Sequence, residues 1–400
     1  MNAAENKPTK LARPYDPSKV VPPGSTVGVL GGGQLGRMMA LAGRAMGYRF
    51  VTLDPTPDAP CGQVADQQIT APYHDAEAAR KLAELSDVIT YEFENVDADV
   101  TALLMAESYV PQGSRLLYTT QHRLREKRAI EAAGVRVAPY RAIASEAELL
   151  EAVQTFGTPC VLKTATGGYD GKGQWVIRSL DEVSDAYSTL SKAGSELVLE
   201  QFVRFAKEIS VIAARSPRGE VKAFPAAENV HVNNILHLSI VPARASEQVL
   251  AEAERMAVRI AEALDVVGLI AVEMFLTEEG ELFVNELAPR PHNSGHYTIE
   301  ACRTSQFEQH LRAVCNLPLG SAELLSGVVM VNVLGQHVEP LLEWIVRPES
   351  QTAVPGVTAK LHLYGKSEAK ENRKMGHVNL LTDNVQDALD WIERSGVWTI

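Results

Sequence analysis

GLIAVEMFLTEEGELFVNELAPRPHNSGH, residues 268–296, sets a glutamate inside each of two apolar runs that flank a turn. LIAVEMFL and LFVNEL have strand composition, and the Glu-Gly between them predicts a hairpin. With Glu279 and Gly280 as the two loop residues, Glu278 pairs with Glu281 and the register sets Glu273 opposite Glu286. Like charges facing each other destabilise a sheet, so a cation is expected between the two acids. Oxygen-only ligands suit Mg²⁺ bridging nucleotide phosphates, with Asn285 as a further contact. The competing explanation is a structural ion pair between Glu273 and a neighbouring Arg or Lys.

Upstream, KTATGGYDGKGQW at 163–175 packs Gly167, Gly168, Gly171 and Gly173 around Tyr169, Asp170 and Lys172. It is not a Walker loop, because Thr166 stands where a glycine is needed and Gly173 replaces the required Ser or Thr. A glycine-rich hairpin of this kind can close over phosphates with its backbone N–H groups and Lys172. Lys163 ends an apolar strand, where an ammonium needs an anion or a partner carboxylate.

Near the start, GVLGGGQLGRMMA at 28–40 places Gly31, Gly33 and Gly36 between a strand and a helix, the context of an anion-binding turn. Asp54, at the end of the next strand, could hold the ribose of NAD. Gln34 inside the turn and the lack of a second half of that fold argue against a dinucleotide, and a tight connection without ligand is the third option.

These motifs lie on a chain of 400 residues with a formal charge of −12, which argues against non-specific nucleic-acid binding. The proline-rich segment 1–25 reads as a mobile leader; it has no apolar run, so no signal peptide or membrane span is expected. Cys61, Cys160, Cys302 and Cys315 have no metal or disulfide spacing, which suits a reducing, cytoplasmic setting. From 26 to about 125 strands and helices alternate as in a parallel α/β sheet; a small α+β lobe is expected at about 138–215 within a second domain, 126–320. The tail, 321–400, reads as a small, mainly β region closed by a helix near 385–393.

In this order, GGGQLGRM, YEFENV at 91–96, GGYDGKGQ and PRPHNSGH, together with Lys163, EQFV at 200–203, Glu208 and Glu273, resemble the ATP-grasp family, specifically its N5-carboxyaminoimidazole ribonucleotide synthetases. The likeness runs from about Thr26 to the C-terminus. It implies an ATP-grasp fold behind a Rossmann-like first domain without NAD, whose opening turn (Gly33, Gln34, Leu35, with Glu92) lines the ribotide site. It further implies Arg123 and Lys163 on ATP phosphates and Gly168, Tyr169, Asp170, Gly171, Lys172, Gly173 and Gln174 as a lid. Glu200, Gln201, Phe202 and Val203 would surround adenine, Glu208 the ribose, and Glu228 and His231 would border the nucleotide with Asn285. Glu273 and Glu286 are implied as metal ligands for Mg²⁺, two ions, or for Mn²⁺ in their place.

Tyr169, Asp170, Lys172, Arg290 and His292 are the implied catalytic residues, with Asp170 or His292 as the base for the amine. Asn293 and Ser294 would meet bicarbonate or ribotide, and Lys366, Arg373 and Lys374 the ribotide phosphate. The implied reaction activates bicarbonate with ATP as carboxyphosphate and transfers the carboxyl group to aminoimidazole ribonucleotide, in a cytoplasmic homodimer whose partners are small molecules. Alternatives are a formate-dependent glycinamide ribonucleotide transformylase, an NAD-dependent oxidoreductase and a nucleotide sensor without chemistry. Gln121-His122 departs from the family pattern just before Arg123, and the leader has no counterpart.

Overall fold

The computed structural model of the chain describes residues 16–168, 172–192 and 195–398. Strands β1 (Thr26–Leu30), β2 (Arg49–Asp54), β3 (Gln67–Thr70) and β4 (Val88–Tyr91) form a parallel sheet in the order β3-β2-β1-β4. The helix Gln34–Ala45 returns from β1 because Leu35, Met38 and Met39 share one buried face. It ends at Gly47, whose φ of +92° suits glycine. β3 is polar except for buried Ile69, which is why its periodicity is not visible in the sequence. The carboxyl ends of β1, β2 and β4 carry the glycine turn, Asp54 and the YEFENV segment to one edge, where open α/β sheets hold ligands.

The last residues of the leader pack against the first domain and the helix Gln306–Val314. Val21 is buried, its N–H bonds the Cys315 carbonyl and its own carbonyl accepts from Tyr48 Oη at 2.7 Å. Asn316 Nδ2 donates to the carbonyls of Pro17 and Lys19, and Lys19 Nζ lies 4.2 Å from the Tyr109 ring centre. Residues 16–25 thus strap the first sheet to the helix Gln306–Val314, and residues 1–15 lie outside the described range.

A second, antiparallel sheet contains β5 (Tyr140–Ile143), β6 (Cys160–Thr164), β7 (Gln174–Ile177) and β8 (Leu197–Gln201) in the order β5-β8-β6-β7. The helices Glu146–Phe156 and Val183–Leu190 contribute Leu149, Val153 and Val183 to its core with Ile143, Leu162 and Leu199. This lobe is shorter than its sequence suggests. Lys207–Arg215, assigned above to the lobe, is a nine-residue strand, β9, paired with Gly268–Leu276 along its full length in the third sheet.

That third sheet also contains β10 (Val221–Ala223), β11 (Ala227–Val232), β12 (Ile235–Val241), β13 (Gly268–Leu276), β14 (Leu282–Ala288), β15 (Val328–Leu334), β16 (Thr358–Leu363) and β17 (Lys374–Leu381). Its order is β14-β13-β9-β11-β12-β15-β17-β16, with β10 on β9. The tail strands therefore extend the central sheet rather than closing a sheet of their own: Leu238 pairs with Val331, and the helix Val385–Ser395 covers β15 with Trp391 and Ala388.

The hairpin of β13 and β14 reaches the expected pairing by another route. Leu276 pairs with Leu282, so Thr277–Glu281 form the loop, closed by Thr277 N–H on the Glu281 carbonyl, and Gly280 takes a φ of +84°. A bulge then inserts Asn285 between the Met274–Val284 and Glu273–Glu286 pairs. The loop alone would have shifted the register by one, and the bulge restores the facing glutamates.

Candidate active site

The lobe, the central sheet and the edge of the first sheet enclose a cavity of about 560 Å³, within the range of small-molecule sites. Its floor is the β13–β14 pair. Glu273 and Glu286 both line it, so the two acids face the same space. Burial raises the proton affinity of Glu286, and the charge of Glu273 adds to this, while Arg123 Nη1, 3.3 Å from Glu286 Oε2, opposes it. Glu273 goes the other way: burial would raise it, but His292, whose Nε2 is 3.0 Å from Glu273 Oε1, keeps it ionised.

A divalent cation fits this floor chemically. Two opposed carboxylates repel, and Asn285 Oδ1 beside them is buried with no hydrogen-bond partner in the chain; buried oxygens left this way are rare without a ligand. No group of three or more His, Cys, Asp or Glu side chains among the described residues forms a metal cage. That donor count suits a hard cation that takes its remaining oxygens from phosphates.

Opposite the floor, Lys163 and a lysine not singled out in the sequence, Lys127, share one carboxylate. Lys163 Nζ is 2.9 Å from Glu200 Oε2, and Lys127 Nζ is 3.2 Å from Glu200 Oε1. Burial alone would favour a neutral Glu200, yet Lys163 and then Lys127 pull it down to about 2. Burial in turn depresses Lys163, with Glu200 as its main support. Glu200 is thus a counter-ion for two lysines, and it lines the same cavity. Lys127 escapes the sequence reading because LREKRAIEA looks like an exposed helical face. It sits on Arg123–Ala132, which also buries Glu126, pushed up to about 8 by desolvation and the nearby Glu286.

The glycine hairpin joins β6 to β7. Gly173 has a φ of +70°, and a Cβ there would lie 2.6 Å from Thr164 Oγ1, so this position requires glycine. Gly168 and Lys172 line the cavity, and Arg123 Nη2 reaches the Gly168 carbonyl at 3.5 Å. Tyr169, Asp170 and Gly171 lie outside the described residues.

Gln174, Gln201, Phe202, Val203 and Glu208 line the same cavity, as does His231, whose Nδ1 is 2.5 Å from Glu208 Oε2. Burial opposes a charge on His231, but Glu208 outweighs it and raises its proton affinity. The stacked pair Phe205–Phe275, 4.6 Å apart, supplies an apolar wall. Arg290, two residues past the end of β14, pairs with Glu94 at 2.5 Å; this second acid of YEFENV was missed because only Glu92 was considered there. Asn293 also lines the cavity, with both amide atoms buried and unpartnered in the chain.

Several expected residues lie elsewhere. Glu228 is held outside the cavity lining by Lys207 at 2.9 Å and Arg244 at 2.6 Å. Ser294 is buried behind His292, and the Leu35 side chain packs in the core of the first domain.

The opening turn is occupied by the chain's own acids. Glu92 accepts hydrogen bonds from the N–H groups of Gly33 and Gly36, and Gly32 N–H donates to Asp54 Oδ2 at 2.8 Å. Tyr73 and Thr56 use the rest of Asp54. A dinucleotide phosphate and ribose would have to displace two buried carboxylates, which removes the physical basis of the NAD alternative. Gln34 stays at this edge, half-buried. Lys366 is close enough for Glu92 to raise its proton affinity, yet burial and then Arg373 bring Lys366 down to about 8. Lys366 Nζ donates to the carbonyl of Lys374, which lines the main cavity, so this cationic cluster adjoins the nucleotide-sized space.

Comparison with known proteins agrees with this geometry. The ATP-grasp domain family matches residues 128–307, the ribonucleotide synthetase preATP-grasp domain 25–121, and the phosphoribosylaminoimidazole carboxylase C-terminal domain 328–390. N5-carboxyaminoimidazole ribonucleotide synthase of Bacillus subtilis (strain 168) is 52% identical over 375 residues, 94% of this chain and 95% of that protein. The chain belongs to the N5-carboxyaminoimidazole ribonucleotide synthase family.

Its fold is the ATP-grasp fold with a preATP-grasp domain, and the family is one of ATP-grasp ligases. A crystal structure of an N5-carboxyaminoimidazole ribonucleotide synthetase in its ADP complex superposes with a TM-score of 0.90 at 54% identity, covering 95% of this chain and 98% of that one. The synthase of Aspergillus clavatus, in complex with ADP and 5-aminoimidazole ribonucleotide, gives 0.84 at 32% identity, with 93% and 98% covered. Among the described residues, no helix is long and apolar enough to cross a membrane.

Proposed function

We propose that the protein carboxylates 5-aminoimidazole ribonucleotide on its exocyclic amine, consuming ATP and bicarbonate and releasing ADP and phosphate. Bicarbonate is a poor electrophile because negative charge shields its carbon and hydroxide leaves badly. In the first step its oxygen attacks the γ-phosphate, the bond to ADP breaks, and carboxyphosphate forms. The amine nitrogen then takes the carboxyl carbon, directly or as CO₂, and inorganic phosphate leaves.

The observation that carries this reading is the shared cavity in which Glu273 and Glu286 face Lys163, with Arg290 and His292 at its edge. Mg²⁺ held by Glu273 and Glu286 would neutralise phosphate charge when bound; two ions, or Mn²⁺ in their place, fit the same donors. Lys163 and Lys172 attract the transferring group, and Arg290, oriented by Glu94, supplies planar donors for bicarbonate. Tyr169 and Asp170 keep the role that the family resemblance implies, contact with aminoimidazole and bicarbonate, and exclusion of water would protect the acyl phosphate. Lys366, Arg373 and Lys374 take the ribotide phosphate. The buried free cysteines suit a cytoplasmic enzyme, and a homodimer is the assembly we assign.

The test is ADP release measured in parallel with aminoimidazole ribonucleotide and bicarbonate, with glycinamide ribonucleotide and formate, and with no acceptor. Stimulation by the first pair alone supports the proposal. Stimulation by the second pair would reassign the chain to transformylation, and none at all would leave a nucleotide sensor.

A further inference from the structure

We propose that Asn229, Ser210 and Ser294 are positioning residues that hold His292 as the tautomer with its proton on Nε2, so that the ring serves Glu273 as a hydrogen-bond donor. All three are almost fully buried, as is Ser239 at the far end of the chain of contacts. Ser239 Oγ contacts Asn229 Oδ1 at 2.8 Å, Asn229 Nδ2 contacts Ser210 Oγ at 2.8 Å, and Ser210 Oγ contacts Ser294 Oγ at 2.8 Å. Ser294 Oγ then meets His292 Nδ1 at 2.9 Å.

Hydroxyls can point either way, so the polarity needs an anchor. The Ser294 backbone N–H provides it: this group can only donate, and it is directed at His292 Nδ1 at 3.4 Å. A nitrogen that receives an N–H does not itself bear a proton, which puts the imidazole proton on Nε2. The hydroxyl of Ser294 is then free to donate to Nδ1 as well, Ser210 donates to Ser294, and Asn229 Nδ2 feeds Ser210. Each member is satisfied in one direction only.

The ring's backbone is held as firmly. The Gln306 side chain accepts from His292 N–H at 2.9 Å and donates to the His292 carbonyl at 2.8 Å. With Nδ1 occupied and Nε2–H facing Glu273 at 3.0 Å, His292 has no free lone pair for the amine proton. It orients the carboxylate on the cavity floor, as outer groups commonly orient acidic ligands.

The tautomer assignment stands on these hydrogen bonds alone; only its catalytic consequence rests on the proposed function. The test is ¹⁵N NMR of the full chain labelled in its imidazoles, without nucleotide, with His292→Asn used to assign the ring. Wild type is expected to show a bare Nδ1 and a protonated Nε2. Asn229→Asp replaces the donor with an acceptor, so the side-chain relay opposes the Ser294 N–H instead of acting with it, and the two tautomers are expected to mix. Ser294→Ala, which adds no buried charge should the first variant fail to fold, is expected to mix the two tautomers.

In both variants kcat should fall roughly 10- to 100-fold with the KM for ribotide little changed. A protonated Nδ1 in wild type, or an unchanged ring in both variants, overturns the proposal. A shifted tautomer with unchanged kcat removes its link to catalysis. Absence of carboxylation in wild type would instead refute the function and leave the NMR result standing.

Discussion

Glu200→Gln removes the one carboxylate shared by Lys127 and Lys163 and leaves both ammonium groups buried. At an effective dielectric of about 20, a contact near 3 Å is worth about 5 kcal/mol of attraction per pair, so the two contacts together could suggest twice that loss. Proton release sets a lower ceiling. A buried lysine can shed its proton, which at pH 7 costs about 1.4 kcal/mol for each unit below its ordinary value near 10.4, or about 5 kcal/mol in all. The expected destabilisation at pH 7 is therefore about 3–5 kcal/mol, in line with other broken buried pairs.

The same reasoning gives the pH dependence and its sign. In the variant one folded-state lysine is neutral, while the unfolded chain still binds that proton up to about pH 10. Unfolding then takes up a proton, so the variant gains stability as pH rises, by about 2.7 kcal/mol between pH 7 and pH 9. In wild type the contacts of Glu200 with both lysines oppose proton release, so stability should change less over the same window. Urea unfolding of both proteins at the two pH values, followed by circular dichroism, measures the difference. A loss under about 1 kcal/mol at pH 7, or a loss that does not shrink by pH 9, would refute the shared-carboxylate account.

Glu286→Ala should abolish ATP turnover, since the phosphates lose their cation; wild-type-like ADP release would remove Glu286 from the metal site. Lys366→Ala should raise the KM for ribotide and leave that for ATP near normal, and an unchanged ribotide KM would exclude Lys366 from the phosphate site. Burial lowers Lys366 to about 8, so its charge is present below that pH and lost above it; kcat/KM for ribotide should fall towards pH 9, a fall that Lys366→Arg should delay. Val21→Ala should cost about 1–3 kcal/mol through the buried strap, seen as a lower melting temperature with kinetic constants unchanged.

Much of the site was legible because its chemistry conflicts with its surroundings. A glutamate in each of two apolar strands and a lysine at the end of a third are costly unless something of opposite charge meets them, and all three line one cavity. The hairpin shows the limit of that reading. The facing of Glu273 and Glu286 was expected from a two-residue loop, whereas it arises from a longer loop corrected by the bulge at Asn285. Bulges depend on what the neighbouring strand demands, and that strand, β9, was placed in the wrong sheet because EISVIAARS carries no mark of its partner.

Lys127 and Glu94 were missed for a related reason. Charged residues on a polar helix and in a loop look solvated until tertiary packing closes over them, and only the buried Glu200 and the half-buried Arg290 give them a role. The glycine turn was read as the site of a ligand anion, and the sequence has no means of saying that its N–H groups meet Glu92, 59 residues from Gly33.

Oxygen transfer tests the central claim most directly. With ¹⁸O-labelled bicarbonate, aminoimidazole ribonucleotide and ATP, the inorganic phosphate formed should carry one ¹⁸O per turnover, because bicarbonate oxygen becomes the bridge to phosphorus. Phosphate free of label, formed at the same rate as carboxylated ribotide, would show that this cavity does not activate bicarbonate by phosphorylation.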